Sequence, residues 1–574
     1  MFDPVVTLRQ RFATALHAAF GDEVAGTDPA IHRSAHADYQ ADVAMALAKR
    51  LKRSPRDVAQ ALLAQLQPDD VVASAEVSGP GFINLALQPA YLEACLAGMS
   101  ADARLGVAKA ANPDTVVIDH SAPNVAKEMH VGHLRSTIIG DVIARVLGFA
   151  GHKVIRQNHI GDWGTPFGML IEHMLDTATT QSVSSVQELV ALYRASRAKF
   201  DADPAFAERA RHRVVLLQGG DEATRALWGK LIAISVEHFT SLYEQLNVDL
   251  RPRDVRGESA YNDDLAIVVA ELEAQGLARE SEGAICVFPE GFLGREGEPV
   301  PLIVRKQDGG YGYATTDLAA VRYRVGTLQA TRIVVVVGAP QSQHLAMVFA
   351  VARSAGWAPA PVRLEHVAFG SVLGPDKKMF KTRAGDTVSL ASLGEEAVER
   401  ARKAVSAKSA DLSPERQEAI ARAVGIGAVK YADLSNDRIK DYVFDWDRML
   451  AFDGNTAPYL MYAHARIRSI LRKAEVVETQ LGPATLEAPQ EKALALQLLQ
   501  FASVIDKTVE TLQPHRLCLF LYDVATTFTA FYEHCPVLKA EGQVRASRLA
   551  LCSVTARVLG QGLALLGIEA PEQM

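Results

Sequence analysis

A chain of 574 residues is too long for one hydrophobic core and implies roughly three to five domains at about 100 to 200 residues each. Hydrophobic residues at 49% and charged residues at 22%, with no apolar run of membrane-spanning length, exclude membrane and disordered classes in favour of a soluble globular protein. A formal charge of −7 excludes an overall basic surface of the kind that announces a nucleic-acid partner, and five scattered cysteines without a CxxC pair exclude a disulfide framework and structural zinc.

Residues 1–108 read as a small α+β domain, with helical patterns over 5–20 and 36–52 and strand-like runs at 74–77 and 82–87 around the turn Gly79-Pro80-Gly81. Asp3 and Arg9 interrupt any apolar leader, so no secretory signal is expected, and the cysteine usage fits a reducing cytoplasm. A linker rich in Ala, Gly, Asn and Pro over 106–113 precedes a strand, a helix and a second strand across 115–157, one βαβ unit of a parallel sheet. A second such unit resumes near 332, with a helix over 342–355 and a strand over 364–369; the two halves make a Rossmann-like core, residues 112–390. Between them, about 176–300, lies a mostly helical insertion with a strand-rich portion over 283–316. Helices return over 391–452 as a connecting region, and 453–574 carries long amphipathic patterns, including 494–509, 517–531 and 546–566, that predict a helical bundle.

The densest chemistry is Ser121-Ala-Pro-Asn124-Val-Ala-Lys127-Glu-Met-His130-Val-Gly132-His133-Leu-Arg-Ser-Thr137, at the junction of the 115–119 strand with the following helix. A helix start presents unpaired N–H groups and the positive end of the dipole, so phosphate is stabilised there by backbone alone. His130 and His133, three apart, add donors from one face, and Gly132 leaves room for a flat base. His-x-x-His alone also fits two surface histidines. Zinc fits poorly, because no cysteine or second histidine cluster completes a tetrahedron.

The whole segment resembles the HIGH signature of class I aminoacyl-tRNA synthetases, here HVGH, with flanks similar to those of the arginyl-tRNA synthetase family. The likeness continues in chain order through Asn158-His-Ile-Gly-Asp162-Trp163-Gly164, Tyr313-Ala-Thr-Thr-Asp317, Gly454-Asn-Thr-Ala-Pro-Tyr459 with Tyr462-Ala-His-Ala-Arg466-Ile-Arg468, and Phe531-Tyr-Glu-His-Cys-Pro536. It implies an α/β fold: a Rossmann-like class I catalytic core with a helical insertion, an N-terminal α+β domain that reads the tRNA elbow, and a C-terminal all-helical anticodon-binding bundle. The implied reaction joins L-arginine to ATP as arginyl-adenylate, releasing pyrophosphate, and passes arginine to the 2′-hydroxyl of the 3′-terminal adenosine of tRNA(Arg). Mg2+ would accompany ATP, tRNA would be bound before activation, and the enzyme would be a cytoplasmic monomer with no bound zinc and no membrane partner.

The resemblance also assigns residues. His130, Gly132 and His133 would hold ATP together with Lys378 and Lys381 of the loop Gly374-Pro-Asp-Lys377-Lys378-Met-Phe-Lys381-Thr382-Arg383-Ala-Gly385, similar to the mobile KMSKS loop. Two registers remain open: Lys381 is the second lysine if the loop is read from Lys378, whereas anchoring on Thr382, Arg383 and Gly385 puts Thr382 there, and Lys127 would then supply the missing charge. A guanidinium calls for carboxylates and a hydroxyl in fixed places. By resemblance Asp119, Tyr313 and Asp317 line the arginine pocket, and Asn124 and Gln341 hold the α-amino group. Phe82 and Asn84 would read an exposed elbow base, and Tyr459, Tyr462, Arg466 and Arg468 would face the anticodon. As residues alone, Phe82 also fits a core, the arginines a solvated helix face, and some tyrosines the packing of the bundle. Another HIGH-containing nucleotidyltransferase is disfavoured by the arginine set, and a silent tRNA-binding paralogue by intact His130, His133 and Lys127.

Overall fold

The computed structural model describes residues 2–179, 183, 185–378, 380, 388–406 and 412–574. The N-terminal unit is an antiparallel sheet of β1 (Ile31–Arg33), β2 (Tyr39–Ala41), β3 (Val72–Ser78) and β4 (Phe82–Leu87) in the order β1-β2-β4-β3. The helix expected over 36–52 is only Val43–Leu51. Tyr39 and Ala41 alternate inward as a strand and pair with Leu85 and Ile83, so sheet pairing overrides the helical pattern there.

The parallel-sheet unit begins with β5 (Thr115–Asp119), the helix Val131–Phe149 and β6 (Lys153–Gln157). Gly140 lets this helix close on the sheet, since a Cβ there would lie 2.3 Å from that of His120. The insertion follows as helices Val186–Ala202, Pro204–Gly219, Glu222–Gln245 and Asn262–Ala274, then a small antiparallel sheet of β7 (Ala278–Ser281), β8 (Ala284–Val287) and β9 (Leu302–Arg305). The strand-rich stretch expected to 316 ends at Arg305. Gly312 caps a helix, Tyr313–Gly326, instead.

The chain then forms β10 (Arg332–Gly338), the helix Ser342–Ser354 and β11 (Arg363–Phe369). Strands β11, β10, β5 and β6 make one parallel sheet in that order, so the first strands of the two βαβ halves, β5 and β10, lie side by side at its centre. The β-branched run Ile333 to Val336 suits a strand covered on both faces. The centre of such a sheet, where the order switches, opens a crevice beyond the carboxyl ends of the strands.

Past β11, a short strand β12 (Val372–Leu373) pairs in parallel with β13 (Tyr442–Val443), which follows the helices Leu390–Ser406 and Pro414–Leu434. The C-terminal bundle comprises Ala457–Lys473, Pro489–Leu498, Phe501–Thr511, His515–His534 and Gly542–Leu565, and packs on the helix Val131–Phe149. The single helix expected over 494–509 is two, broken at Leu499 and Gln500 with no glycine or proline to mark the turn.

Candidate active site

The loop from His120 to His130 is a strained cradle locked by neighbours. Ser121, Ala122 and Ala126 hold positive φ (72°, 46° and 64°), conformations that cost a side-chain-bearing residue about 1 kcal/mol or more and persist only when the surroundings impose them. The surroundings here are specific. The Ala122 amide donates to Asn158 Oδ1 (3.0 Å), Asn158 Nδ2 to the Tyr243 hydroxyl (2.9 Å), and that hydroxyl shares a hydrogen bond with Ser121 Oγ (2.8 Å). Asn124 lies over Gly161, where a Cβ would sit 2.2 Å from its Oδ1; Val125 N–H donates to the Gly161 carbonyl at 3.1 Å.

His130 caps the helix. Its Nδ1 accepts from the Gly132 amide (3.0 Å), while His133 Nδ1 accepts from the His130 amide (3.2 Å). Burial, reinforced by Lys127, lowers the pKa of His130; burial, then His130 and Lys127, brings His133 down to about 4. His133 is therefore neutral at pH 7, and because each Nδ1 accepts from backbone, the free donor of each neutral imidazole is Nε2–H. Two N–H donors at a helix start suit an anion. Lys127 is exposed, with Nζ 5.2 Å from the centre of the Tyr193 ring on an insertion helix.

Both flanks of the lysine loop are fastened nearby. On its far side the Val131 amide donates to Val388 O and Leu390 N–H to Met129 O, so the chain leaving the loop runs beside the histidines. Lys377 and Lys378 are exposed on a turn closed by Gly374 N–H to Lys378 O (2.7 Å). Lys381, Thr382, Arg383 and Gly385 lie outside the described residues.

A cluster of acids forms the other end. Asp119 closes β5 but is not a free carboxylate: buried Arg324 donates from Nη2 to its Oδ2 (2.6 Å) and from Nε to Gln157 Oε1 (2.7 Å). Burial pushes the Asp119 pKa up, yet Arg324, aided by His159, outweighs it and holds the group below the usual carboxylate range. Tyr313 and Asp317 share a face of the helix Tyr313–Gly326. Asp317 Oδ2 lies 2.6 Å from His344 Nε2, whose ring packs edge-on to Tyr313, and Tyr313 is 68% exposed. Gln341 stands exposed in the turn after β10, and Asn124 is exposed on the cradle.

One acid escaped the sequence reading. The carboxyl group of half-buried Glu258 makes no hydrogen bond or ion pair among the described residues, while its backbone N–H donates to Ile160 O (3.1 Å); burial, then the charges of Asp162 and Asp317, raise its pKa to about 7. Its neighbour Gly257 is required because a Cβ there would lie 2.2 Å from Asp162 Oδ2. Glu258 and Arg324 both feel Asp317, and Arg324 holds Asp119, so acids from four distant segments converge.

The remaining expected residues separate. Asn84 is 6% exposed in the middle of β4, and Phe82 is half-buried at its start. Tyr459 packs within the bundle against Tyr522, its hydroxyl 3.4 Å from Thr529 Oγ1, and Arg468 is engaged by Glu478 and Glu572. Tyr462 and Arg466 instead line a cavity of about 390 Å³ with Tyr532, Arg472 and Lys473, the Arg466 guanidinium lying over both tyrosine rings. Such pairing of aromatic faces and cations suits unstacked bases. Among the described residues no group of three His, Cys, Asp or Glu side chains is arranged to hold a metal ion, and no helix is long and apolar enough to cross a membrane.

Comparison with known proteins bears on all three units. Residues 96–446 match the family described as tRNA synthetases class I (R), catalytic domain; 460–574 match the DALR anticodon binding domain; 6–87 match the arginyl tRNA synthetase N terminal domain. The chain is 56% identical over 578 residues to an arginine--tRNA ligase of Thermobifida fusca, covering 100% of both, and 54% identical over 562 residues to that of Frankia casuarinae, covering 96% of each. Among solved structures it is similar to arginyl-tRNA synthetase from Plasmodium falciparum (TM-score 0.87, 30% identity, 99% of each chain) and to that of Thermus thermophilus (TM-score 0.82, 27% identity, 99% of this chain and 100% of that one).

Proposed function

The chain belongs to the arginyl-tRNA synthetase family, and from that premise we propose how its site divides the work of an arginine–tRNA ligase. The enzyme activates L-arginine with ATP and esterifies tRNA(Arg). The observation that carries the division is the meeting, at the carboxyl edge of one parallel sheet, of donors at a helix start with a pocket of acids. Arginine carboxylate attacks the α-phosphate, so charge grows on phosphoryl oxygens and leaving pyrophosphate. His130 and His133 donate Nε2–H to those oxygens, and Lys127, with Lys378 and Lys381, neutralises the phosphates from the two sides. Mg2+ would arrive on the triphosphate, since the protein groups here are N–H donors and cations rather than oxygen ligands.

Asp317 and Tyr313 receive the guanidinium, joined by Glu258, while Asp119 acts as the Arg324-braced floor. Asn124 and Gln341 take the α-amino group. The N-terminal unit, 1–108, meets the tRNA elbow through Phe82, with Asn84 bracing the strand. The core is 112–390 and the connecting region 391–452. In the bundle, 453–574, Tyr462 and Arg466 stack anticodon bases, while Tyr459 and Arg468 shape the helix that carries them. Five buried free cysteines suit a cytoplasmic enzyme, and the enzyme is read as a monomer. Pyrophosphate exchange measured with tRNA across the proteinogenic amino acids and citrulline tests this: arginine alone should support it. Comparable exchange with lysine or citrulline would refute the pocket.

A further inference from the structure

A cavity of about 460 Å³ lies beside β6, lined by none of the residues proposed to hold ATP or arginine. Strand β6 is the last of its sheet, paired on one side only, with β5. On that side Lys153 N–H donates to Asp114 O and Gln157 O accepts from His120 N–H. Asn158, next in the alternation, turns the other way: it donates to Asp254 O (2.8 Å) and accepts from Arg256 N–H (3.0 Å). Val154 and Arg156 therefore also turn their N–H and C=O outward, as a sheet edge does, and these groups have no backbone partner among the described residues. The cavity lies along that free edge, and residues from the stretch 249–256 form part of its wall.

Three arginines line it, and each has donors to spare. Arg156, its side chain 19% exposed, comes no nearer to a carboxylate than 3.5 Å (Asp249), and Arg253 no nearer than 3.9 Å (Asp254). Those acids are engaged by Arg251 instead, whose Nε donates to Asp249 (3.1 Å) and whose backbone N–H donates to Asp254 (2.9 Å). Arg256 makes no ion pair among the described residues; aromatic faces hold it, its guanidinium 3.6 Å from the centre of the Tyr323 ring and 4.9 Å from that of Tyr261. The Nε groups of Arg156 and Arg256 are shielded from water without a hydrogen-bond partner. Guanidinium forks left open in a concavity match a phosphate, which accepts two parallel N–H bonds from each.

The rest of the wall narrows the class. Ile155, Val255, Tyr323 and Leu328 supply apolar surface, which a bare inorganic anion would leave unused. Two outward residues are too few to add a peptide strand, since strands run about three to ten residues. A backbone N–H and C=O side by side do match the donor and acceptor on the edge of a nucleobase. The volume lies in the range of small-ligand pockets, about 300–1,000 Å³.

We infer that this cavity is a second nucleotide site, separate from the one at the helix start: Arg156, Arg253 and Arg256 take the phosphate, and the free edge of β6 takes the base. The probe is GMP, with inorganic phosphate as its truncated counterpart. Hydrogen exchange of the full-length enzyme should slow at 153–157 and 249–256 with GMP and not with inorganic phosphate at the same concentration. Arg253→Gln and Arg156→Gln should each weaken the Kd read from that protection by about tenfold, the scale of one charge-assisted hydrogen bond, while leaving KM for ATP unchanged. The Arg253 side chain is 75% exposed, so its replacement tests the site without disturbing the fold. Protection confined to 121–133 would place GMP in the ATP site and overturn the inference. So would equal protection by inorganic phosphate, protection by tRNA(Arg) but not by GMP, or a Kd that neither substitution moves.

Discussion

The two ends of the candidate site are built in opposite ways. The phosphate end is local: within the eleven residues from His120 to His130 and one helix turn, two imidazoles, each oriented by accepting from a backbone amide, and a lysine supply the donors. The amino-acid end is assembled from Asp119, Asp162, Glu258 and Asp317, with Arg324 neutralising one acid and none of the described residues pairing with the Glu258 carboxyl group. A helix start needs only neighbours in sequence, whereas a pocket for a permanent cation needs like charges held together against their repulsion, so its parts come from far apart and carry their own counter-charge.

If this contrast holds, the largest effect comes from removing the brace. Arg324→Met leaves the buried Asp119 carboxylate without its guanidinium partner and should cost about 3–5 kcal/mol in denaturant unfolding; a second change, Asp119→Asn, should return part of it. A loss below about 1 kcal/mol would show that the acid end needs no internal cation.

Next is Asp317→Asn, which should lower kcat/KM for arginine by about 10²- to 10³-fold, the scale of truncating one partner of a buried charged pair, and shrink the preference over citrulline. Lys127→Ala should cut kcat for activation by about 10²-fold, as for loss of one preorganised donor, while leaving KM for arginine alone. A change in KM only would move Lys127 from chemistry to binding.

The smallest effect concerns pH. With its pKa near 7, Glu258 loses its proton as the medium passes neutrality, so KM for arginine should fall by at most about tenfold between about pH 6 and 8. Glu258→Gln should abolish that slope. The same shift has a signed consequence for stability. The folded pKa lies above the ordinary value of 4.5, so the contribution of Glu258 is fully present below that value and is lost as pH rises toward 7. The glutamine variant should therefore match the parent in Tm near pH 4 and exceed it at pH 8. Equal Tm throughout would contradict the burial of this acid.

How much could be read beforehand follows the same line. The strand, the capped helix and the histidine pair were legible because capping and periodicity act within a few residues. Asp317 and Tyr313 were legible as neighbours once four residues apart on a helix. Glu258 was not, for it sits in a single turn, Glu258–Tyr261, with no period, and its nearness to Asp317 is purely tertiary. Arg324 looks like any charged residue in the last turn of a helix; only the fold carries it under Asp119. In the bundle, unbroken apolar spacing concealed the bend at Leu499 and Gln500, and in the N-terminal sheet the alternation of Tyr39 and Ala41 was too short to outweigh the helix beyond it.

Tyr243 has a consequence for modularity. Its hydroxyl, which joins Asn158 to Ser121, comes from the long helix Glu222–Gln245 of the insertion, not from the parallel sheet. A truncated protein that kept every strand and crossover helix but deleted that insertion would retain a scaffold and lose the keystone of its cradle, so the boundaries at which this enzyme divides by architecture are not those at which its chemistry could be excised.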